Sequence, residues 1–502
     1  MNTMMVLSRG VRSVCLSARR GYATEVFSVD TMNANLRKMQ YAVRGVVVAR
    51  AEEHKETLCA GAELPFKEII HCNIGNPQEV GNPPITYIRQ LSSLTNYPEL
   101  ADYEHAADIF PADVIEKARL ITSLVNTGAY SHSQGHHLFR EWIAKFIEER
   151  DGYPSDPKNI FMTDGASPGI QTVIKALIRE KSDAIMIPRP QYPIYSASVQ
   201  QFGGTQVNYD LDEDNEWALS IEDMENSLAR AMEEGTNVRG LCIINPGNPT
   251  GQVCNEQNLR DVIDFCKRHN LVLLADEVYQ ENVMAEGKTW YSAKKILCDM
   301  GDEYNDVQLY SFHSTSKGFL GECGKRGGYM EITNVPEDLR AQFYKAASVS
   351  LCPNLMGQVT VAGMVNPPQK GDESYAVYSD EKNRALKSLK RRAQTMWSAL
   401  TGLPGVSCNP PQGAMYLFPK ITIPQMAVEK AAEQNMAPDL YYSLKLLDAT
   451  GIVVVPGSGF GQKDGTFHFR TTFLPSEDKI NAVAYRLGDF HCRFVEEHGG
   501  EQ

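Results

Sequence analysis

Between about residues 135 and 350, short aliphatic runs alternate with stretches of helical spacing, and each run stops abruptly at polar residues. The runs are AIMIP (184–188), GLCIIN (240–245), LVLLAD (271–276), VQLYSF (307–312) and GYMEI (328–332). A strand with one wet face alternates apolar and polar side chains. These runs do not, so they read as strands buried on both faces, with helices as the crossovers that cover them. The fold class that follows is α/β with a largely parallel sheet. After about residue 370 the pattern changes. A long charged helical stretch, SDEKNRALKSLKRRAQTMWSAL, leads into GAMYLFP, IVVVPG and FHFRTTF, the pattern of a smaller α/β domain.

A chain of 502 residues exceeds what one hydrophobic core spans, so more than one packed domain is expected. The expected division is an N-terminal arm over 25–85, a large domain over 86–370 and a small C-terminal domain over 371–502. Within the arm, MNANLRKMQYAVRG and VVVARAEEHKETL have helical spacing, whereas about 66–100 is rich in Asn and Pro and reads mostly as loop.

The first two dozen residues differ from the rest. They carry Arg9, Arg12, Arg19 and Arg20 with Ser8, Ser13 and Ser17, and no acid precedes Glu25. This is the pattern of a mitochondrial transit peptide over 1–24, cut near Tyr22, with the matrix as destination. Without a working leader the chain would stay in the cytoplasm. The formal net charge of -13 and the lack of a long basic stretch argue against a nucleic-acid partner. No apolar run approaches the roughly 20 residues that cross a bilayer, so a membrane partner is not expected. The 11 cysteines are scattered singly, without CxxC pairs or zinc spacing, and read as reduced thiols with no metal site.

In parallel sheets ligands bind beyond the carboxyl ends of the strands, so the residues just after each run carry the functional reading. Lys317 follows VQLYSF in a Ser- and Gly-rich loop with Ser314 before it and Arg326 after it. An amine on a flexible stem beside other cations can attack a carbonyl, and a hydroxyl plus a guanidinium can hold a phosphate. Asp276 ends LVLLAD, where a carboxylate pairs with a cation or caps a helix. Tyr279 follows it. GLCIIN runs into NPGNPTG (245–251), whose prolines and glycines present Asn248. MTDGASPGI places Ala166 and Ser167 at a helix N-terminus that either binds an anion or is a bare cap. Tyr192, just past a strand, offers a ring face for stacking. Arg470, among aromatics in HFRTTF, reads as a buried ion pair or a carboxylate clamp.

In this order NPGNPTG, ADEVY, SxSKG with a following arginine, and a late FR resemble the fold-type-I (class I/II) pyridoxal-phosphate-dependent aminotransferases. The segments MNANLRKMQYAVRG, HCNIGNPQEVG, AYSHSQG, SFHSTSKGFLGECGKRGGY and QGAMYLFPKI resemble the alanine-using branch of that family. The resemblance covers about residue 30 to the C-terminus. It implies a mostly parallel seven-stranded sheet and a homodimer with shared active sites. It also implies reversible ping-pong transfer of an amino group from L-alanine to 2-oxoglutarate, giving pyruvate and L-glutamate. By the same resemblance Lys317 holds pyridoxal 5'-phosphate covalently and moves the substrate proton, and Asp276 pairs with the ring nitrogen. Asn248 and Tyr279 bind the ring 3-oxygen, and Tyr192 stacks on the ring. Ala166, Ser167, Ser314 and Arg326 hold the phosphate, with Tyr130 reaching it from the neighbouring subunit. Arg470 clamps the substrate carboxylate, with Gly75 and Asn248 beside the substrate. Lys325 precedes Arg326, and either cation could meet the phosphate. IGNP at 74–77 departs from the family's pattern there.

Other readings of the same residues are a glutamate-linked enzyme that uses another oxo acid, such as glyoxylate, and a lyase on the same scaffold. A DNA-binding regulator built on this fold would need a basic helix-turn-helix module that the residues before 66 lack. GSGFG (457–461) resembles a nucleotide loop only weakly, because no helix pattern of the dinucleotide type follows it.

Overall fold

The aliphatic runs lie at the centre of one sheet in the structure, a computed structural model that describes residues 27–41 and 45–500. The expected leader lies outside the described residues. In chain order the strands of the sheet are β1 (Ile160–Thr163), β2 (Asp183–Arg189), β3 (Thr205–Asp212), β4 (Ala218–Leu219), β5 (Asn237–Ile244), β6 (Val272–Asp276), β7 (Leu309–Ser314) and β8 (Gly328–Thr333). Their order across the sheet is β1-β8-β7-β6-β5-β2-β3-β4. The pairs β2–β3, β2–β5, β5–β6 and β6–β7 are parallel, and β1–β8, β7–β8 and β3–β4 are antiparallel.

Seven strands are expected from the resemblance, and an eighth is present. β4 is two residues that turn back through Glu213–Asn215 to pair with the end of β3. So short a strand inside the acidic stretch DLDEDNEWAL carries no periodicity to read.

The unbroken aliphatic character of the central strands has a direct structural cause. Successive side chains point to opposite faces. Leu241, Ile243, Leu273, Ala275 and Leu309 enter one core, while Cys242, Ile244, Leu274, Tyr310 and Phe312 enter another on the other side. Neither face meets water, so neither selects polar residues.

From β2 the chain continues outward to β3, and from β5 it continues the other way through β6 to β7. Connections that leave in opposite directions open a crevice at the carboxyl ends of β2 and β5. Four segments that carry candidate residues (189–192, 245–251, 276–279 and 314–317) start at this edge.

The expectation of loop over 66–100 is corrected in one part. Helix α1 (Thr86–Asn96) buries Tyr87, Ile88, Leu91 and Leu94. Their spacing is that of one helix face, but the flanking Pro83 and Pro84 hide it. Before α1, Ile70 and His71 pair in parallel with Ile452 and Val453, and the Cys72 carbonyl accepts the Thr472 N–H at 2.7 Å. This pairing holds residues 73–76 beside the C-terminal part of the chain.

Helix α2 (Ala166–Leu177) follows β1, and the charged helix α3 (Tyr375–Thr401) leads into a small sheet. That sheet consists of β9 (Tyr416–Leu417), β10 (Val455–Pro456) and β11 (Phe469–Thr472), in the order β9-β11-β10. Its pairing sets Tyr416 opposite Thr472 and Val455 opposite Arg470.

A buried ion pair ties β8 to its surroundings. Lys294 Nζ donates to Glu331 Oε1 at 2.5 Å and to the Pro154 carbonyl at 3.1 Å, and the Ser155 hydroxyl donates to the same carboxylate oxygen at 2.6 Å. Removing one partner of such a pair leaves an uncompensated charge. Lys294→Ala is therefore expected to lower stability by about 3–5 kcal/mol in urea unfolding. Lys294→Met combined with Glu331→Leu is expected to recover most of that loss. A single variant as stable as the wild type would show that the pair contributes nothing.

Candidate active site

A cavity of about 280 Å³ opens at the crevice, and Gly75, Ala166, Ser167, Tyr192, Asn248, Asp276, Tyr279, Ser314, Lys317, Arg326 and Arg470 all line it. Side chains from opposite ends of the chain thus share one wall.

Asp276 is the last residue of β6 and is 4 % exposed. Its Oδ2 accepts the Tyr195 hydroxyl at 3.1 Å and its Oδ1 the Val278 N–H at 3.3 Å. No cationic side chain lies within ion-pair distance among the described residues. Burial pushes the carboxyl up to about 6, against the two hydrogen bonds and the more distant charge of Lys317. A carboxylate in this state favours any ligand that brings it a cation, such as a protonated ring nitrogen.

The other end of the cavity suits a phosphate. Gly165 precedes α2 at φ +81° with no side-chain cap, so the first amides of the helix, at Ala166 and Ser167, have no capping side chain. Arg326 adopts a left-handed backbone (φ +54°), and its Nη2 and Nη1 donate to the Asp164 carbonyl (2.8 Å) and the Cys323 carbonyl (3.0 Å). A Cβ on residue 165 would fall 2.3 Å from the Arg326 guanidinium, so glycine is what lets the cation reach the helix N-terminus. Ser314 and Ser316 share a hydroxyl hydrogen bond of 2.9 Å at the same end. Of the two cations left open by the sequence, Arg326 lines the cavity and Lys325 does not.

Between these ends Lys317 Nζ donates to the Gly75 carbonyl at 2.5 Å. A Cβ on Gly75 would lie 2.1 Å from the Tyr416 hydroxyl and 2.9 Å from Lys317 Nζ, so a side chain there has no room. Asn248 Nδ2 donates to the Tyr279 hydroxyl at 3.3 Å, and the Tyr279 and Tyr416 hydroxyls are 2.9 Å apart. Burial and Tyr416 raise the Tyr279 phenol well above its usual range. Burial also works to raise Tyr416, but Lys317 and Arg470 beside it bring its phenol below the usual range. Within this pair Tyr279 keeps its proton more firmly.

Arg470 is 1 % exposed. Its Nη1 donates to Asn248 Oδ1 at 2.9 Å and its Nη2 to the Asn73 carbonyl at 2.5 Å, while its Nε has no partner among the described residues. No carboxylate lies within ion-pair distance of it among the described residues. Of the two readings open from the sequence, the ion pair is therefore absent and the free clamp remains.

Besides Lys325, Tyr130 is the candidate that the chain does not bring to the cavity. Its side chain is 79 % exposed. Conversely, Tyr41, Tyr195, Ser316 and Tyr416 belong to the site without having been singled out. The Tyr41 hydroxyl lies 2.7 Å from that of Tyr192 at the cavity wall. Ser316 sits inside the SxSKG motif and Tyr416 inside GAMYLFP, so the sequence marks their segments but not their roles. Tyr195 shares a turn with Tyr192, but nothing local marks it as the partner of a carboxylate 81 residues away.

Comparisons with known proteins identify the family. Residues 101–487 match the family described as "Aminotransferase class I and II". The chain is 51 % identical over 479 residues to "Probable alanine aminotransferase, mitochondrial" of Dictyostelium discoideum, covering 94 % of this chain and 90 % of that protein. It is 45 % identical over 479 residues to "Glutamate--glyoxylate aminotransferase 1" of Arabidopsis thaliana, covering 95 % of this chain and 98 % of that protein. The solved alanine aminotransferase from Pyrococcus furiosus aligns with a TM-score of 0.71 at 23 % identity, covering 92 % of this chain and all of that one. At that identity the likeness concerns the fold alone.

The buried carboxyl makes a prediction about stability. In the folded, cofactor-free protein Asp276 titrates near 6, above the value of 3.8 for an ordinary aspartate. Its contribution to stability is therefore greatest at low pH and is lost as pH rises through about 6. Asn at this position stays neutral throughout. Cofactor-free Asp276→Asn is expected to be more stable than the cofactor-free wild type at pH ~8 by on the order of 3 kcal/mol, with the gain shrinking towards pH ~4. Urea unfolding at several pH values checks this, and a variant less stable at both ends would refute it.

Proposed function

Because this chain belongs to the class I and II aminotransferases, we propose that it transfers the amino group of L-alanine to 2-oxoglutarate, giving pyruvate and L-glutamate. The observation that carries the proposal is a buried, acid-free Arg470 in the same cavity as Lys317. The choice of alanine rests on the 51 % identity to a protein named for that activity.

The enzymes of this family depend on pyridoxal 5'-phosphate, and the chemistry of the cavity fits that cofactor. At one end is a buried carboxylate with no cation in ion-pair distance among the described residues. At the other are an uncapped helix N-terminus, Arg326 and two serine hydroxyls. Between them is an amine. When bound, the cofactor supplies an electron sink for the charge that develops at the substrate Cα. Ala166, Ser167, Ser314 and Arg326 would hold its phosphate, Asp276 its ring nitrogen, Asn248 and Tyr279 its ring oxygen, and Tyr192 its ring face.

Arg470 orients the substrate by its carboxylate, with Asn248 holding one edge of the guanidinium. Lys317 Nζ would then remove the proton from the substrate Cα and pass it to the bound cofactor, and in the opposite half-reaction it would supply a proton to Cα. The Gly75 carbonyl, which accepts from Nζ, aims the amine. The absence of a Cβ at Gly75 keeps the approach open.

The shared active site of a homodimer belongs to the same proposal. Tyr130 is exposed, and its neighbours Ser131 and His132 pack on the 344–352 segment, through the Cys352 sulfur and the Tyr344 ring. Tyr344, Val349 and Leu351 of that segment are exposed hydrophobics. A second copy covering this patch would receive Tyr130 at the phosphate end of its own cavity. For the leader, the support is the arginine- and serine-rich start and a relative with "mitochondrial" in its name. Import into the matrix with removal of about 22 residues follows from it.

A second reading, glutamate-linked transfer to glyoxylate, is favoured by the 45 % identity to the Arabidopsis enzyme named for it. Steady-state rates with alanine, aspartate and glycine as donors, and with 2-oxoglutarate and glyoxylate as acceptors, separate the two. Alanine with 2-oxoglutarate is expected to give the highest kcat/KM. Lys317→Ala is expected to abolish both transfer and the visible absorbance of the cofactor-loaded protein, and a coloured, active variant would end the proposal.

A further inference from the structure

The segment GSGFG (457–461) does not line the active-site cavity. It forms a short turn, Gly457–Phe460, directly after β10. The turn is pinned at its start, where the Gly457 N–H donates to the His468 carbonyl at 2.8 Å and the Ser458 N–H to Asp439 Oδ2 at 2.6 Å. It ends with the fully buried Phe460, whose ring stands edge-on to Phe418 (5.8 Å, 83°).

Phe460 touches the active site twice. The Arg470 guanidinium carbon lies 4.8 Å from the centroid of its ring, in addition to 4.3 Å from that of Tyr416. Its carbonyl accepts the Gln191 N–H at 2.9 Å, next to Tyr192 in the cavity wall.

The surroundings of Arg470 explain what such a ring does. A guanidinium out of water needs compensation, and the usual compensation is a carboxylate. A carboxylate from the protein would occupy the donors that a substrate carboxylate requires. Here the compensation is neutral: two hydrogen bonds to amide oxygens and two aromatic rings. A ring face attracts a cation electrostatically without accepting its N–H groups in the manner of a carboxylate.

We propose that Phe460 is a positioning residue for carboxylate recognition: its ring holds the Arg470 guanidinium in place without an acidic partner, leaving the cation open to the substrate. This rests on the reading of Arg470 as the clamp. Both substrates present a carboxylate to the same clamp, so both depend on Phe460. The GSGFG turn then serves to present a ring to a cation and not to cradle a phosphate.

Propionate, which is alanine without its amine, is the probe. Its binding to the cofactor-loaded enzyme is measured by calorimetry, beside KM and kcat for alanine and 2-oxoglutarate. Phe460→Leu keeps an apolar side chain and removes the ring. It is expected to weaken propionate binding and to raise both KM values by about tenfold, with a much smaller change in kcat and the cofactor absorbance retained. Replacement of Phe460 by 3,4,5-trifluorophenylalanine preserves the shape and drains the ring face, and is expected to weaken propionate in the same direction. That second variant decides the matter where the leucine variant does not fold. Wild-type propionate affinity in the trifluoro enzyme, or a loss confined to kcat, overturns the proposal. Arg470→Gln separates the premise from the proposal. If it binds propionate like the wild type, the clamp itself is wrongly assigned, whatever Phe460 does.

Discussion

Two opposite charges are buried at one cavity and neither is neutralised. Asp276 has no cation and Arg470 no carboxylate within ion-pair distance among the described residues, although both are almost fully out of water. Leaving charges in this state costs stability, and the arrangement makes sense only if ligands bring the missing partners. A cationic ring nitrogen would complete Asp276, and a substrate carboxylate would complete Arg470. The neighbours of each hold it without an ionic partner. Tyr195 and the Val278 amide hold Asp276 by hydrogen bonds alone. Asn248, the Asn73 carbonyl and aromatic rings hold Arg470.

The fold supplies the distance between them. Asp276 stands at the end of a central strand of the large sheet, and Arg470 on a strand of the small one. Lys317 lies in the loop between, with its amine directed at the Gly75 carbonyl. Gly75 is brought there because residues 70–72 pair with the C-terminal part of the chain. Two glycines work at close approach in this frame. Gly75 clears the space around the lysine, and Gly165 admits Arg326 to the helix N-terminus.

The phenols form a second layer of control. Asn248, Tyr279 and Tyr416 make a chain of hydrogen bonds that begins at the Arg470 guanidinium. Tyr416 lies near both Lys317 and Arg470 and is the more acidic phenol of the pair. Arg470, proposed to face the substrate carboxylate, and Tyr279, proposed to face the ring oxygen, are therefore linked through the protein itself.

The sequence alone was sufficient for the five runs, because strands buried on both faces are rich in apolar side chains and do not alternate them with polar ones. It was also sufficient for the residues at their carboxyl ends, because motif order follows strand order along the chain. It was insufficient for α1, hidden behind two prolines, and for β4, too short to carry a period. What only the tertiary structure decided were the partners. Tyr195 meets a carboxylate 81 residues on, and Arg470 meets Asn248 across 222 residues. Phe460 meets Arg470 across strands of the small sheet. Arg326 rather than Lys325 faces the cavity because its backbone is left-handed at φ +54° and Gly165 has no side chain. Local pattern reports which face of an element is buried. It does not report what lies across that face, because that is set by pairings between distant segments that form only when the chain has folded.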